Sequence, residues 1–292
     1  MGLAGKIVGA VVKRLPAHGM DRAEEFLLPR RPFEQLQLPR PSAFTVVCDD
    51  GETKDLEIVE VLERHGVRGV FAVSPDLIGR PGFLTYDELR QIRAAGHEIA
   101  FHGTTHDPFT GFADAARLKA AIAEGLAAMA EGGLGTPGTL IYPYGRHSRQ
   151  VRATVAPTFS SAFTTWFGIN EGEVNRYAIR RIPFGAYTGK LPANEAWYRQ
   201  LIDRSAGGAC WPTLMLHPAA EGHTKEHNAL LSRLVEHAQQ RGVAVRTVAA
   251  HMTIGMAAPG AAPAAASGNS TPAGGAVSGL AGAASDMDRK RA

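Results

Sequence analysis

Three short polar clusters in this chain carry the residue types that metal-assisted hydrolysis requires. They are Asp49-Asp50-Gly51, His102-Gly103-Thr104-Thr105-His106 and His217-Pro218. One carboxylate with two imidazoles is a good ligand set for Zn²⁺ or a similar divalent ion, leaving positions for water and substrate. The two histidines stand four apart, so they share one face if their loop takes a helical turn. The remaining aspartate and histidine can then work as base and acid, a set sufficient to hydrolyse an amide or ester. Singly, each cluster is commonplace: Asp-Asp-Gly is often a turn, and a lone His-x-x-x-His is often a surface feature. Their weight comes from where they stand along the chain.

Each cluster directly follows a short apolar run. Ala43–Cys48 (AFTVVC), His97–Phe101 and Thr213–Leu216 (TLML) read as buried strands that end at Asp49, His102 and His217. Further strands are expected at Val67–Val73 and Thr139–Tyr142. Helical spacing appears at Leu56–His65, closed by Gly66, and at Thr85–Ala95, where Thr85 is the N-cap with Glu88 three positions on. A long alanine-rich helix is expected over Ala113–Glu131. Strand and helix segments continue through Ser161–Thr165, Ala178–Ile182, Ala193–Ser205, Lys225–Arg241 and Val243–Val248. Such alternation predicts parallel strands with helices outside, as an α/β barrel or an open wound sheet. In the barrel case the C-terminal strand ends face one common site, so clusters distant in the chain can converge.

The chain has 292 residues, 45% hydrophobic and 20% charged, enough for one sizeable core. Its net charge of +3 and the lack of a dense Lys/Arg run beside aromatics argue against a nucleic-acid partner. Cys48 and Cys210 are far apart and outside any CxxC spacing, so both read as buried free thiols in a reducing compartment. No stretch is long and apolar enough to span a bilayer. Residues 1–40 form an N-terminal extension, within which residues 3–14 have an apolar segment with basic edges. That segment is a candidate for peripheral membrane contact. It makes a weak export signal, because Lys6 interrupts it. A cytoplasmic location, or one on the inner face of the membrane, is therefore expected. Residues 41–255 form the single folded domain, and residues 256–292, nearly all Ala, Gly, Pro and Ser, are expected to be a disordered tail.

Over roughly residues 43–248 the chain resembles the polysaccharide deacetylases with a NodB-homology domain, carbohydrate esterase family four. The residues that carry the resemblance are Cys48-Asp49-Asp50-Gly51, His102-Gly103-Thr104-Thr105-His106, Tyr142-Pro143-Tyr144-Gly145 and Leu214-Met215-Leu216-His217, in family order. The resemblance implies a distorted (β/α)₇ TIM-like barrel. It implies that Asp50, His102 and His106 hold one divalent metal, Zn²⁺ first, with Co²⁺ or Ni²⁺ as alternatives. It further implies Asp49 as general base toward the attacking water, His217 as the acid for the leaving amine, and the Tyr144 backbone N–H as an oxyanion donor. Leu214 or Leu216 would line the pocket for the acyl methyl, and Pro143 is a further substrate-binding candidate. The activity implied is removal of an acetyl group from an amino sugar of a polysaccharide or glycolipid precursor, as in lipopolysaccharide or other surface-polysaccharide assembly. A deformylase or other amide hydrolase of the same fold on a non-polymeric substrate is the alternative, and a catalytically silent sugar-binding scaffold is a third reading.

The chain departs from the family pattern in three places. Gly103 stands where Ser or Thr is usual, and Glu52 follows Asp-Asp-Gly where Pro is common. Ile141 occupies a position often held by an arginine that orients the base. Arg181, in Arg180-Arg181-Ile182-Pro183, is the candidate to hold Asp49 instead. Trp166 is the candidate sugar contact. His147, His223, His227, His237 and His251 are expected on loops or polar helix faces.

Overall fold

Seven parallel strands close on themselves in the computed structural model, which describes residues 29–40, 43–208 and 210–254. They are β1 (Ala43–Cys48), β2 (Val70–Val73), β3 (Glu98–Phe101), β4 (Thr139–Ile141), β5 (Ser161–Phe167), β6 (Ile179–Phe184) and β7 (Thr213–Leu216). Each pairs with the next. β7 then returns to β1 in parallel register, from Thr213 opposite Thr45 to Leu216 opposite Cys48. The helices are α1 (Asp55–Arg64), α2 (Tyr86–Ala94), α3 (Ala115–Glu131), α4 (Arg149–Val155), α5 (Glu195–Ala206), α6 (Lys225–Gln240) and α7 (Val248–Ile254). This is the (β/α)₇ barrel expected from the resemblance. Between β5 and β6 a short strand at Glu173–Asn175 replaces a helix and pairs antiparallel with Gln35–Gln37, so the end of the N-terminal extension docks on the barrel.

Strand alternation sorts the side chains into two cores. Phe44, Val46, Cys48, Phe71, Val73, Ile182, Leu214 and Leu216 share a cluster with the inner faces of the helices, among them Ile58, Leu62, Leu89, Ile122, Leu231 and Leu234. Ala43, Val47, Val70, Ala72, Ala100, Ile141, Phe163, Ile179 and Trp211 form the second cluster, inside the barrel. Val248 joins this inner cluster, so α7 closes the N-terminal end of the barrel. There Glu98 accepts the Ala249 N–H at 2.8 Å.

The helix ends follow local chemistry. Thr85 and Glu88 form the expected reciprocal capping box. Asp114 and Asn194 cap α3 and α5 through their side chains. The short helices α4 and α7 have no counterpart among the expected segments. Cys48 and Cys210 are buried free thiols. The membrane-contact segment at residues 3–14 and the tail at 256–292 lie outside the described residues.

Candidate metal and acid–base site

The inner parity of three strands leads directly to the site. Asp49 lies two residues beyond Val47 of β1, His102 two beyond Ala100 of β3, and Arg181 two beyond Ile179 within β6. His217 has the opposite parity to Leu214 and Leu216 of β7. Asp50 would point outward as the next residue of β1, but its φ of 80° swings the chain back, and Gly51 follows with φ 70°. A Cβ on Gly51 would meet Val73 at 2.8 Å, so this turn needs glycine for both shape and space.

Asp50 Oδ1 lies 3.3 Å from His102 Nε2 and 3.2 Å from His106 Nε2. These are the ligand atoms of the one His/Asp group, among the described residues, with three donors close enough to hold a metal ion. No helical turn forms at this motif. The His102–His106 loop is irregular, with positive φ at Gly103 (79°) and His106 (67°). Those two conformations fold the loop so that both imidazoles meet Asp50. A Cβ at Gly103 would stand 3.0 Å from Pro143 and 3.2 Å from Phe109, which accounts for glycine in place of Ser or Thr. Pro143 is buried against this loop.

His102 is oriented from behind. Its Nδ1 is 2.8 Å from the Ile141 carbonyl, which can only accept, so Nδ1 carries a proton. In the neutral ring Nε2 then presents a lone pair to the Asp50 carboxylate. Two acceptors facing each other call for a cation between them, either a second proton or a metal ion. Burial opposes charge on both groups. Even so, the imidazoles hold the Asp50 carboxyl far below its usual range, and Asp50 raises the affinity of His102 for a proton. The donor set therefore fits a divalent metal.

Asp49 is fully buried and accepts from Arg181 Nη1 at 2.6 Å, while Arg181 Nε donates to the Thr164 carbonyl at 2.9 Å. Burial would raise the Asp49 carboxyl, but Arg181 first, with His217 and His102 adding to it, outweighs burial and holds the group below its usual range. His217 Nε2 is 3.6 Å from Asp49 Oδ2 and 3.9 Å from Asp50 Oδ2. Burial pushes its proton affinity down despite these carboxylates, so it rests neutral near pH 7. Tyr144 has φ 56° in the Pro143–Gly145 turn, and its ring lies 4.7 Å from that of His106. Glu52 is half-buried beside Asp50, and burial together with that neighbour raises its carboxyl.

The structure thus brings together Asp49, Asp50, His102, His106, Tyr144, Arg181 and His217. The other sequence candidates stand in different surroundings. Leu214 and Leu216 are fully buried in the helix-facing core, where strand alternation sends them away from His217. Trp166 is half-buried with its ring 4.7 Å from that of His147. His147 and His251 are completely buried rather than on a polar face. His147 accepts from Arg152, itself paired at 2.6 Å with Glu34, and His251 packs on Trp211. The sequence reading did not single out Tyr187. Its ring stands 4.9 Å from that of His217.

Residues 39–158 match the family model described as polysaccharide deacetylase. A search of curated proteins finds no match. Among solved structures, the chain is similar to a family 4 acetyl xylan esterase from Clostridium thermocellum in complex with a cobalt ion. The identity is 15% over 73% of this chain and 91% of that one, with a TM-score of 0.53. The chitin deacetylase of Colletotrichum lindemuthianum matches at 16% identity over 74% and 89%, TM-score 0.54. A family 4 pseudoenzyme from Bacillus anthracis matches at 13% over 73% and 66%, TM-score 0.53. At these identities the likeness is one of fold. The motif resemblance and the family match over residues 39–158 agree.

Proposed function

We propose that this chain, with the polysaccharide deacetylase pattern over residues 39–158 and the barrel of the family 4 esterases, is a metal-dependent hydrolase. Residues 41–255 would be its catalytic domain, removing an acetyl group from an amino sugar of a polysaccharide or glycolipid precursor. One observation carries this reading. Three donor atoms of Asp50, His102 and His106 lie within 4.8 Å of one another, and His217 stands beside them, 3.6 Å from Asp49 and 3.9 Å from Asp50. Intact acid–base groups of this kind favour catalysis over a silent scaffold.

Asp50, His102 and His106 would hold the metal, with Zn²⁺ first and Co²⁺ or Ni²⁺ as alternatives. When bound, the ion would supply Lewis-acid polarisation and acidify a water molecule. Asp49, kept ionised by Arg181, takes a proton as water attacks the acyl carbon. His217 lies beside Asp49 and is neutral at rest, so it can accept a proton there and deliver it to the leaving nitrogen as the C–N bond breaks. The products are acetate and a free amine. The Tyr144 backbone N–H would steady the charge that develops on the acyl oxygen.

The test is acetate release from a panel of N-acetylated oligosaccharides and lipid-linked sugars, with Asp49→Asn as control. Release by the intact protein and a loss of at least a hundredfold in the variant supports the assignment. Formate released from N-formylated sugars in place of acetate would shift it to the deformylase alternative.

A further inference from the structure

Backbone strain singles out one residue that neither the motifs nor the proposed chemistry uses. Among the described residues, four that are not glycine have φ in the left-handed region: Asp50, His106, Tyr144 and Tyr187. For residues with a Cβ this conformation is unfavourable and concentrates where function demands it. Three of the four belong to the site already described. Tyr187 is the fourth, with φ 61°, in the loop that follows β6.

Its side chain is equally unusual. Four large hydrophobics among the described residues are exposed: Phe33, Tyr144, Phe167 and Tyr187. Tyr187 is the most exposed of them, at 66%. Tyr144 follows it at 59%. The rings of these two tyrosines pack on the two outer histidines of the site. Tyr144 is 4.7 Å from His106, and Tyr187 is 4.9 Å from His217 and perpendicular to it, at 87°. His106 approaches Asp50 Oδ1 and His217 approaches Asp50 Oδ2. Each exposed ring therefore packs on a histidine that approaches the carboxylates of the site. An exposed tyrosine held in a strained backbone gains nothing from burial, and a flat amphipathic ring at a site entrance suits a ligand with an apolar face and a polar edge. A pyranose ring has that form.

We infer that Tyr187 is a substrate-binding residue whose ring stacks on a sugar ring adjoining the one that carries the acyl group, so that the site takes an oligosaccharide rather than a lone sugar. The inference rests on the carbohydrate reading of the site. Tyr187→Asn removes the ring but keeps a residue that tolerates positive φ, so the loop is preserved. Tyr187→Phe and Tyr187→Trp keep the platform.

Two readouts separate this inference from the reading beneath it. The first is the Kd of the metal-loaded protein for the glucosamine tetramer, which has no acyl group to lose. It should weaken about tenfold in Tyr187→Asn and stay within about twofold in Tyr187→Phe and Tyr187→Trp. The second is steady-state acetate release from the N-acetylglucosamine tetramer, where KM should rise with the Kd and kcat should change far less. No binding by the intact protein, an unchanged Kd in Tyr187→Asn, or failure of Phe and Trp to restore it would overturn the platform. Acetate release by the intact protein alongside any of those results would leave the hydrolase assignment standing.

Discussion

Replacing Arg181 with Met should unmask the cost of a buried, unpaired base, and the cost should depend on pH. Arg181 and Asp49 are both buried, with 2.6 Å between Nη1 and Oδ1. At that separation and an effective dielectric of ~20, the gross attraction is about 6 kcal/mol, most of it offset by desolvation of the two ions. Removing the guanidinium leaves the carboxylate buried and uncompensated, which costs about 3–5 kcal/mol. Met matches the arginine stem in bulk, so lost packing contributes little. The sign with pH follows from the depressed Asp49 carboxyl. In the parent, its stabilising contribution is present above the unfolded carboxylate value and fades as pH falls through the lower folded value. In Arg181→Met the carboxyl rises instead and takes up a proton at mild acidity, so the difference between the two proteins shrinks as pH falls. Urea unfolding of both at about pH 8 and about pH 5 measures it, with the larger penalty expected at pH 8. A penalty under ~1 kcal/mol, or one equal at both pH values, would refute the reasoning. Arg181→Lys keeps the charge but loses the fork that also binds Thr164, so most of the turnover should go while much of the stability stays.

Other outcomes follow from the same structure. Burial holds His97 and His251 to about 4 and His147 to about 3, so each binds a proton in the unfolded chain well before the folded one. Stability should therefore fall as pH drops below about 6.5, at a slope approaching about 4 kcal/mol per pH unit for three protons. His251→Phe should remove about a third of that slope, as thermal melts across the range would show. Glu34→Gln breaks the buried pair with Arg152 and should cost about 3 kcal/mol in urea unfolding. Gly103→Ser puts a Cβ 3.0 Å from Pro143 at φ 79° and should cost about 1–3 kcal/mol. It should also weaken metal binding about tenfold, measured by competition with a chelator, because the loop that carries His102 and His106 must shift.

How much of this was legible in the sequence depends on whether the signal is local. AFTVVC before Asp49 and TLML before His217 read as buried strands because apolar runs ended by polar residues leave few alternatives. The capping box at Thr85 and Glu88 is visible for the same reason. The site's residue types were legible too, but not the backbone that joins them. The turns beside Asp50 and His106 pass through Gly51 and Gly103, and the neighbours that crowd those glycines, Val73, Pro143 and Phe109, come from other parts of the chain. Leu214 and Leu216 adjoin His217 in sequence, yet alternation along β7 buries them on the other face. His147 and His251 look polar in one dimension and are enclosed by Arg152, Trp166 and Trp211 in three. Tyr187 belongs to no motif spacing, and only its φ and its exposure reveal it.

The central claim is one catalytic metal held by Asp50, His102 and His106. The most direct test is metal content and acetate release measured on the same purified sample, beside Asp50→Ala. About one divalent ion per chain, lost in Asp50→Ala together with acetate release from an N-acetylated sugar, is the predicted result. No bound metal after incubation with Zn²⁺, or full metal content in Asp50→Ala, would contradict it.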